Sequence, residues 1–294
     1  MDLKILLIIV IILVVLYLLA IMPRMIGRPS ADKLLVQNLY AHRGLHDNRT
    51  TAPENSMAAF KMAVDAGYGI ELDVQLTRDG VPVVFHDFTL ARVARYEEGQ
   101  APENAVLNED GSYGVAGKVI DYTYEELQQF HLLDSEEKIP KFEDFLKLVD
   151  GKVPLIIELK IELFDARVCQ VVDRMLRDYR GTYCIESFNP LGLWWFRRNH
   201  KEVFRGQLSE EFFREPEKLW HTPVYYLLAF LIFNFLTKPD FVAYNHVYAG
   251  NLSRMICHGL YKNTAAAWTI RSQDELEKNR GRFDIFIFEG FIPS

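Results

Sequence analysis

Hydrophobic and polar positions divide the chain into an apolar leader and a longer stretch of alternating short runs. Residues 5–22, "ILLIIVIILVVLYLLAIM", are 18 apolar or aromatic residues without a charge, close to the ~20 that cross a bilayer as a helix. The run predicts a membrane anchor. A secretory signal peptide competes, but its apolar core is shorter and an A-x-A-like cleavage site follows it, which is not the case here. β-like runs then recur: "NLYAH" (38–42), "GIELDVQL" (69–76), "PVVFH" (82–86), "PLIIELK" (154–160), "TYCIESF" (182–188), "VFRGQL" (203–208), "FVAYN" (241–245), "AAAWTI" (265–270) and "IFIF" (285–288). Between the first two, Pro53 is expected to open a helix with Met57, Phe60 and Val64 on one face and Gly67 at its end. A second helix, again opened by a proline, runs from Pro140 through Phe142, Phe145 and Leu146 to Gly151. Strands alternating with helices predict βαβ units, and this many strands in one domain fit a TIM-like (β/α)8 barrel better than an open sheet.

Two stretches break the rhythm. Residues 88–120 are polar and dotted with glycine. Residues 209–240 contain "VYYLLAFLIFNFL" (224–236), whose only amide is Asn234. That run is too short to span a bilayer, so it is a buried core helix, an interfacial segment or a re-entrant one. The expected organisation is an anchor and flank (1–24), a juxtamembrane linker (25–37) and a barrel domain (38–294) with 209–240 as an apolar insertion.

Charge and cysteine usage narrow the setting. Arg24, Arg28 and Lys33 follow the span, against Lys4 and the terminal amine ahead of it, which places a single-pass protein's catalytic domain in the cytoplasm. Cys169, Cys184 and Cys257 have neither a disulfide framework nor metal-site spacing and agree with a reducing compartment. The net charge of −7 argues against a nucleic-acid partner, since such binding neutralises phosphates with Lys and Arg.

Candidate chemistry concentrates in "GIELDVQLTRDGVPVVFHD". Alternation along a strand points Glu71 and Asp73 to one face and Ile70, Leu72 and Val74 to the other. If Asp79-Gly80 is a two-residue hairpin turn, paired positions sum to 159 and Asp73 faces His86; a three-residue loop would shift that register. In "IIELK", Glu158 and Lys160 likewise share a face. A carboxylate inside an apolar strand is costly unless paired or metal-bound. Glu71, Asp73 and Glu158 are hard oxygen ligands of the kind Mg2+ or Ca2+ takes; the alternative is a set of internal salt bridges with Lys160 and Arg43. His42 and Arg43 sit at the exit of the first strand, where barrels of this type gather their sites. A histidine can pass protons and an arginine can hold an anion. Glu54 can be read as a charge favourable to a helix N-terminus.

"AHRG", "PENS", "GIELDVQLTRDGVPVVFHD", "VIDYTYEEL", "KIPKFEDFL" and "IIELK" resemble, in order and spacing, the glycerophosphodiester phosphodiesterase family, closely over residues 38–165 and more thinly beyond. The resemblance implies a TIM-like barrel with a hairpin insertion that hydrolyses a glycerophosphodiester, or a lysophospholipid, to glycerol 3-phosphate or a lysophosphatidate and an alcohol, using a divalent cation. It further implies His42 and His86 as the acid-base pair, Glu71, Asp73 and Glu158 as metal ligands, Arg43 and Lys160 as phosphate-holding groups and Glu54 as support. In such enzymes a substrate hydroxyl attacks phosphorus through a cyclic phosphate. Trp268 is a candidate flank for a glycerol or headgroup. The family's terminal threonine-aspartate pair is replaced by "FIFEGFIPS", leaving Glu289 and Pro293 as counterparts. Two further readings share this fold: a phospholipase of the phosphoinositide-specific or sphingomyelinase type, and a non-catalytic lipid-binding module.

Overall fold

The computed structural model describes residues 2–28, 35–36, 38–97, 99–214 and 223–294. Lys33 of the basic flank, most of residues 29–37 and residues 215–222 of the apolar insertion lie outside them. In chain order the strands are β1 (Leu39–His42), β2 (Gly69–Leu76), β3 (Pro82–Val84), β4 (Ala94–Arg95), β5 (Val106–Leu107), β6 (Tyr113–Gly114), β7 (His131–Leu132), β8 (Leu155–Leu159), β9 (Tyr183–Ser187), β10 (Arg205–Ser209), β11 (Phe241–Asn245), β12 (Thr264–Ile270) and β13 (Ile285–Phe288). β1, β2 and β8 to β13 are all parallel, and β1 pairs with both β13 and β2, so the eight strands close into a TIM-like barrel.

Alternation sorts the strand side chains between two cores. Ala41, Ile70, Leu72, Ile157 and Ile185 point outward into the shell of helices. Tyr40, Ile156, Cys184, Phe241, Ala266 and Ile285 point inward and fill the lower barrel. One step further along the same inward rows come His42, Glu71, Glu158, Glu186, Asn245 and Trp268, so the polar site forms a lid on an apolar plug. The helices Met57–Asp65 and Phe142–Val149 pack through Phe60 and Phe145, whose rings meet edge-on at 4.6 Å. Burying each such ring stabilises the fold by about 1.5–3 kcal/mol.

Several expected boundaries move. Ser56 accepts the Ala59 N–H through its side chain (3.1 Å), so the first helix starts at Met57 and not at Pro53. A side-chain N-cap satisfies an orphan donor that proline cannot. Pro140 is extended, its carbonyl accepting the Val84 N–H (2.9 Å), and the second helix starts at Phe142. Residues 224–236 are not one helix: Pro223–Ala229 and Asn234–Thr237 are separated by a turn in which Leu231 has φ 56°. Val224, Tyr226, Leu227 and Phe235 of this segment are exposed while Ala229 and Leu231 are buried. Residues 88–120 contribute β4, β5 and β6, which join β7 in a four-stranded antiparallel sheet over a core of its own.

The β2–β3 hairpin also differs from the two-residue expectation. Gln75 pairs with Val83 and Leu76 with Pro82, so partners sum to 158 and the loop has three residues, 78–80. Thr77 closes it, its Oγ1 accepting the Val81 N–H (2.9 Å) and approaching Asp79. Phe85, not His86, therefore faces Asp73, donating its N–H to the Asp73 carbonyl (3.0 Å).

The helix Leu3–Ile21 is long and apolar enough to cross a membrane, and Ile21 at its end is its only buried residue. Its last turn docks on the barrel. Tyr261 Oη donates to the Leu18 carbonyl (2.9 Å), Asn234 Nδ2 to Ile21 (2.9 Å) and Lys238 Nζ to Met22 (2.9 Å), satisfying carbonyls that a helix end leaves without partners.

Candidate active site

The polar residues gather at the C-terminal ends of the strands, around a cavity of about 210 Å³ lined in part by His42, Arg43, Glu71, His86, Glu158 and Trp268. The exit of β1 sets its geometry. Arg43 has a left-handed backbone (φ 55°) and Gly44 follows at φ 85°, where a Cβ would lie 2.9 Å from the Ala59 carbonyl carbon. This turn aims the Arg43 N–H at Glu71 Oε2 (3.1 Å) and its guanidinium at Glu54 Oε1 (2.7 Å), with Nε 3.6 Å from Asp73. Glu54 lies in the loop ahead of the helix N-cap, so it serves this cluster and not the helix dipole. Asn55, also left-handed (φ 56°), donates to Asp73 Oδ2 (2.9 Å).

Glu71, Asp73 and Glu158 each offer a carboxylate oxygen within 4.8 Å of the others. Lys160 Nζ stands 3.1 Å from Asp73 and 2.8 Å from Glu158. Glu186, which sequence reading passed over, is level with Glu158 on the neighbouring strand, is 1% exposed, and its Oε2 accepts no hydrogen bond. Its signal was present: one carboxylate in an apolar strand, as at Glu158. Burial raises Glu71, Glu158 and Glu186 above the usual carboxylate range, and neighbouring carboxylates push them further. Burial acts the same way on Asp73, but Lys160, His86 and Arg43 outweigh it and hold Asp73 well below that range. Four carboxylates share this buried space with two cations, Arg43 and Lys160, so that burial and mutual repulsion oppose their full ionisation. The donor set and the unpartnered oxygen fit a divalent cation bound by oxygen.

Both histidines are held at Nδ1. His42 meets Glu289 Oε2 at 2.5 Å and His86 meets Asp87 Oδ1 at 2.5 Å. An ionised carboxylate only accepts, so each Nδ1 carries a proton and each Nε2 is the nitrogen left to exchange one. Burial and Arg43 pull His42 down to about 4, against the opposing pull of Glu289, so at neutral pH this imidazole is neutral. Burial opposes the ionisation of Glu289, yet the bond to His42 brings it down to about 2. A second cluster, His42, His46 and Glu289, also has close donor atoms, but its best acceptor is already engaged by His42.

Arg92 was not legible in the sequence. It reaches from the insertion and forks onto Glu54 (2.7 and 2.8 Å) while Nε holds Asp87 (2.6 Å). It thereby couples the support of Arg43 to the support of His86. Trp268 forms one wall, edge-on to Phe188 at 5.6 Å, with its indole N–H unpartnered. Of the polar residues at the other strand ends, Ser187 and Gln207 bond backbone carbonyls, Asn189 caps the following helix, and Asn245 lines the cavity.

A sequence model of the glycerophosphoryl diester phosphodiesterase family matches residues 42–280. The chain belongs to this family. Glycerophosphoryl diester phosphodiesterases are phosphoric diester hydrolases, and two relatives show the extent of the likeness. The glycerophosphodiester phosphodiesterase of Caldanaerobacter subterraneus subsp. tengcongensis is 28% identical over 253 residues, 81% of this chain and 87% of that protein. That of Bacillus altitudinis is 35% identical over 131 residues, 42% of this chain and 44% of that protein, so this match spans less than half of the relative. Among solved structures, an Oleispira antarctica phosphodiesterase in complex with its product sn-glycerol-3-phosphate shares the fold at a TM-score of 0.62, with 21% identity, covering 85% of this chain and 92% of that one.

Proposed function

We propose that this chain hydrolyses glycerophosphodiesters, monoacyl lysophospholipids included, releasing glycerol 3-phosphate or a lysophosphatidate and an alcohol. The observation that carries the reading is the pairing, in one cavity, of two carboxylate-oriented histidines with a buried carboxylate cluster. Glu71, Asp73 and Glu158 would hold Mg2+ or Ca2+, with Glu186 beside Glu158 on the next strand. A divalent cation there supplies Lewis-acid polarisation of a phosphoryl oxygen.

His42 and His86 exchange the protons. One Nε2 takes the proton of the attacking substrate hydroxyl, and the other imidazole, protonated, gives one to the leaving oxygen; the roles then reverse as water opens the cyclic phosphate to the monoester. Arg43 and Lys160 offset charge that builds on the phosphoryl oxygens, and Glu54 keeps the Arg43 fork in place. Trp268 offers an apolar face to the glycerol or headgroup. Glu289 and Asp87 are positioning residues that fix which imidazole nitrogen carries the proton.

The reading extends to a single-pass membrane protein with its catalytic domain in the cytoplasm. The bonds from Tyr261, Asn234 and Lys238 to the end of the apolar helix support retention of that helix, since its removal would strip three side chains of their acceptors. Arg24 and Arg28 on the barrel side support the orientation.

The test is product identity across a panel of glycerophosphodiesters, lysophospholipids and phosphoinositides, followed by phosphorus NMR. Glycerol 3-phosphate or lysophosphatidate is expected. A phosphorylated headgroup with free glycerol or acylglycerol would instead mark the phospholipase reading, and no turnover by folded, metal-supplied protein the non-catalytic one.

A further inference from the structure

The course of the N-terminal helix tells which end of the barrel meets the bilayer. The helix Leu252–Gly259 follows β11 and therefore descends from the catalytic end of the barrel to the opposite end. Tyr17 bonds Ser253 near its upper end (2.7 Å), Cys257 Sγ approaches the Ile21 carbonyl one turn lower (3.3 Å), and the Arg24 N–H donates to Pro239 just ahead of β11 (3.1 Å). The apolar helix thus runs beside Leu252–Gly259 in the same direction. Its exposed residues 3–16 project past the end that carries His42, His86 and the carboxylates.

At 1.5 Å per residue, those residues reach roughly 21 Å, about 9 Å short of a ~30 Å hydrocarbon core. The difference closes when the catalytic rim sinks into the near leaflet by the roughly 5–10 Å typical of interfacial apolar side chains. The rim has the side chains for it. Leaving aside the apolar helix and Ile26 just after it, the four most exposed large apolar residues among those described are Phe164 (86%), Leu163 (77%), Val247 (69%) and Ile292 (65%). They follow β8, β11 and β13, all at the catalytic end. Scattered exposed apolar residues are ordinary; their convergence on the end from which the apolar helix emerges is not. Val247 also lines the catalytic cavity, so lipid and cavity are continuous through it.

We propose that the catalytic mouth lies against the bilayer, with Leu163, Phe164, Val247 and Ile292 among the acyl chains, so that a monoacyl phosphodiester enters from the near leaflet with its tail still in lipid. The substrate part of this inference rests on the glycerophosphodiesterase reading of the site; the membrane contact does not.

Two measurements on full-length protein in vesicles of phosphatidylcholine with a minority of phosphatidylglycerol test it. The three native cysteines are buried, so an environment-sensitive fluorophore can be placed selectively by Phe164→Cys or, at the opposite end, by Lys201→Cys. Blue-shifted emission quenched by spin-labelled lipid at 164 but not at 201 is expected; aqueous emission at both overturns the membrane contact. The Leu163→Glu/Phe164→Glu variant should lose roughly tenfold or more of its rate on vesicle-borne lysophosphatidylcholine and keep its rate on soluble glycerophosphocholine. Equal effects on both substrates overturn delivery from the leaflet. If the parent protein cleaves neither substrate, the reading of the site falls, and the fluorophores still decide the membrane contact.

Discussion

Nδ1 of His42, at the exit of the first barrel strand, is bonded to Oε2 of Glu289, at the exit of the last. The closure of the barrel between β1 and β13 brings them together. Glu289 thereby delivers a carboxylate from the last strand to the imidazole of the first. Glu289→Gln should lower kcat by roughly tenfold to a hundredfold, a part of the ~10²–10⁴ that positioned proton transfer contributes, while KM changes little. The split between kcat and KM in steady-state kinetics checks it, because general loosening of the cavity would move both.

The same pair sets an acid sensitivity. Folded His42 titrates near 4, below its ordinary 6.5, and Glu289 near 2, below its ordinary 4.5. Both folded values are depressed, so the unfolded chain binds more protons over these ranges and stability falls as pH drops. The His42 contribution is lost between about 6.5 and about 4, and the Glu289 contribution between about 4.5 and about 2. Urea unfolding at stepped pH should show Glu289→Gln flattening the lower part of this decline and leaving the protein near pH 7 little changed in slope.

His42→Ala and His86→Ala should each cut turnover by roughly 10²–10⁴ while both variants still unfold cooperatively in urea. Retention of activity by both would remove the acid-base assignment.

The carboxylate cluster predicts an inversion. Burial and mutual repulsion raise Glu71 and Glu186, so neutralising either relieves strain when no cation is bound. In EDTA, Glu71→Gln should melt at or above the parent's temperature, by up to a few degrees for about 1 kcal/mol. With saturating Mg2+ or Ca2+ the order should reverse, because the variant has lost a ligand. Calorimetry under both conditions reads this without any activity measurement.

Arg92→Ala should destabilise the fold by about 1–2 kcal/mol, less than the loss of a fully buried pair because Arg92 is half exposed. Activity should fall further than stability does, since Glu54 and Asp87 lose a shared clamp. Comparing Arg92→Ala with Arg92→Lys, which keeps the charge but not the fork, separates the two effects.

Local pattern made much of this legible. β2, β11 and β13 fall on the residues their short β-like runs mark, because turn formers bound each run on both sides. Alternation along a strand put Glu71 and Asp73 on one face and Glu158 with Lys160 on another, and the structure turns both faces inward. Features that depend on closure were not legible. The extra loop residue that sets His86 off the Asp73 register comes from Thr77 closing the hairpin. Arg92 lies in a polar insertion whose pattern says nothing of Glu54, 38 positions earlier. Asn234 looked like an interruption in an apolar run, yet its amide holds the end of the N-terminal helix.

On the proposed reading, Glu71, Asp73 and Glu158 would hold a divalent cation and two oriented histidines would exchange the protons of glycerophosphodiester cleavage. The most direct test is glycerol 3-phosphate release from glycerophosphocholine by detergent-solubilised protein, first in EDTA and then with Mg2+ or Ca2+ restored. No release in EDTA and recovery on adding one of the two ions are expected. Undiminished release in EDTA, with the protein shown to be metal-free, would contradict that reading.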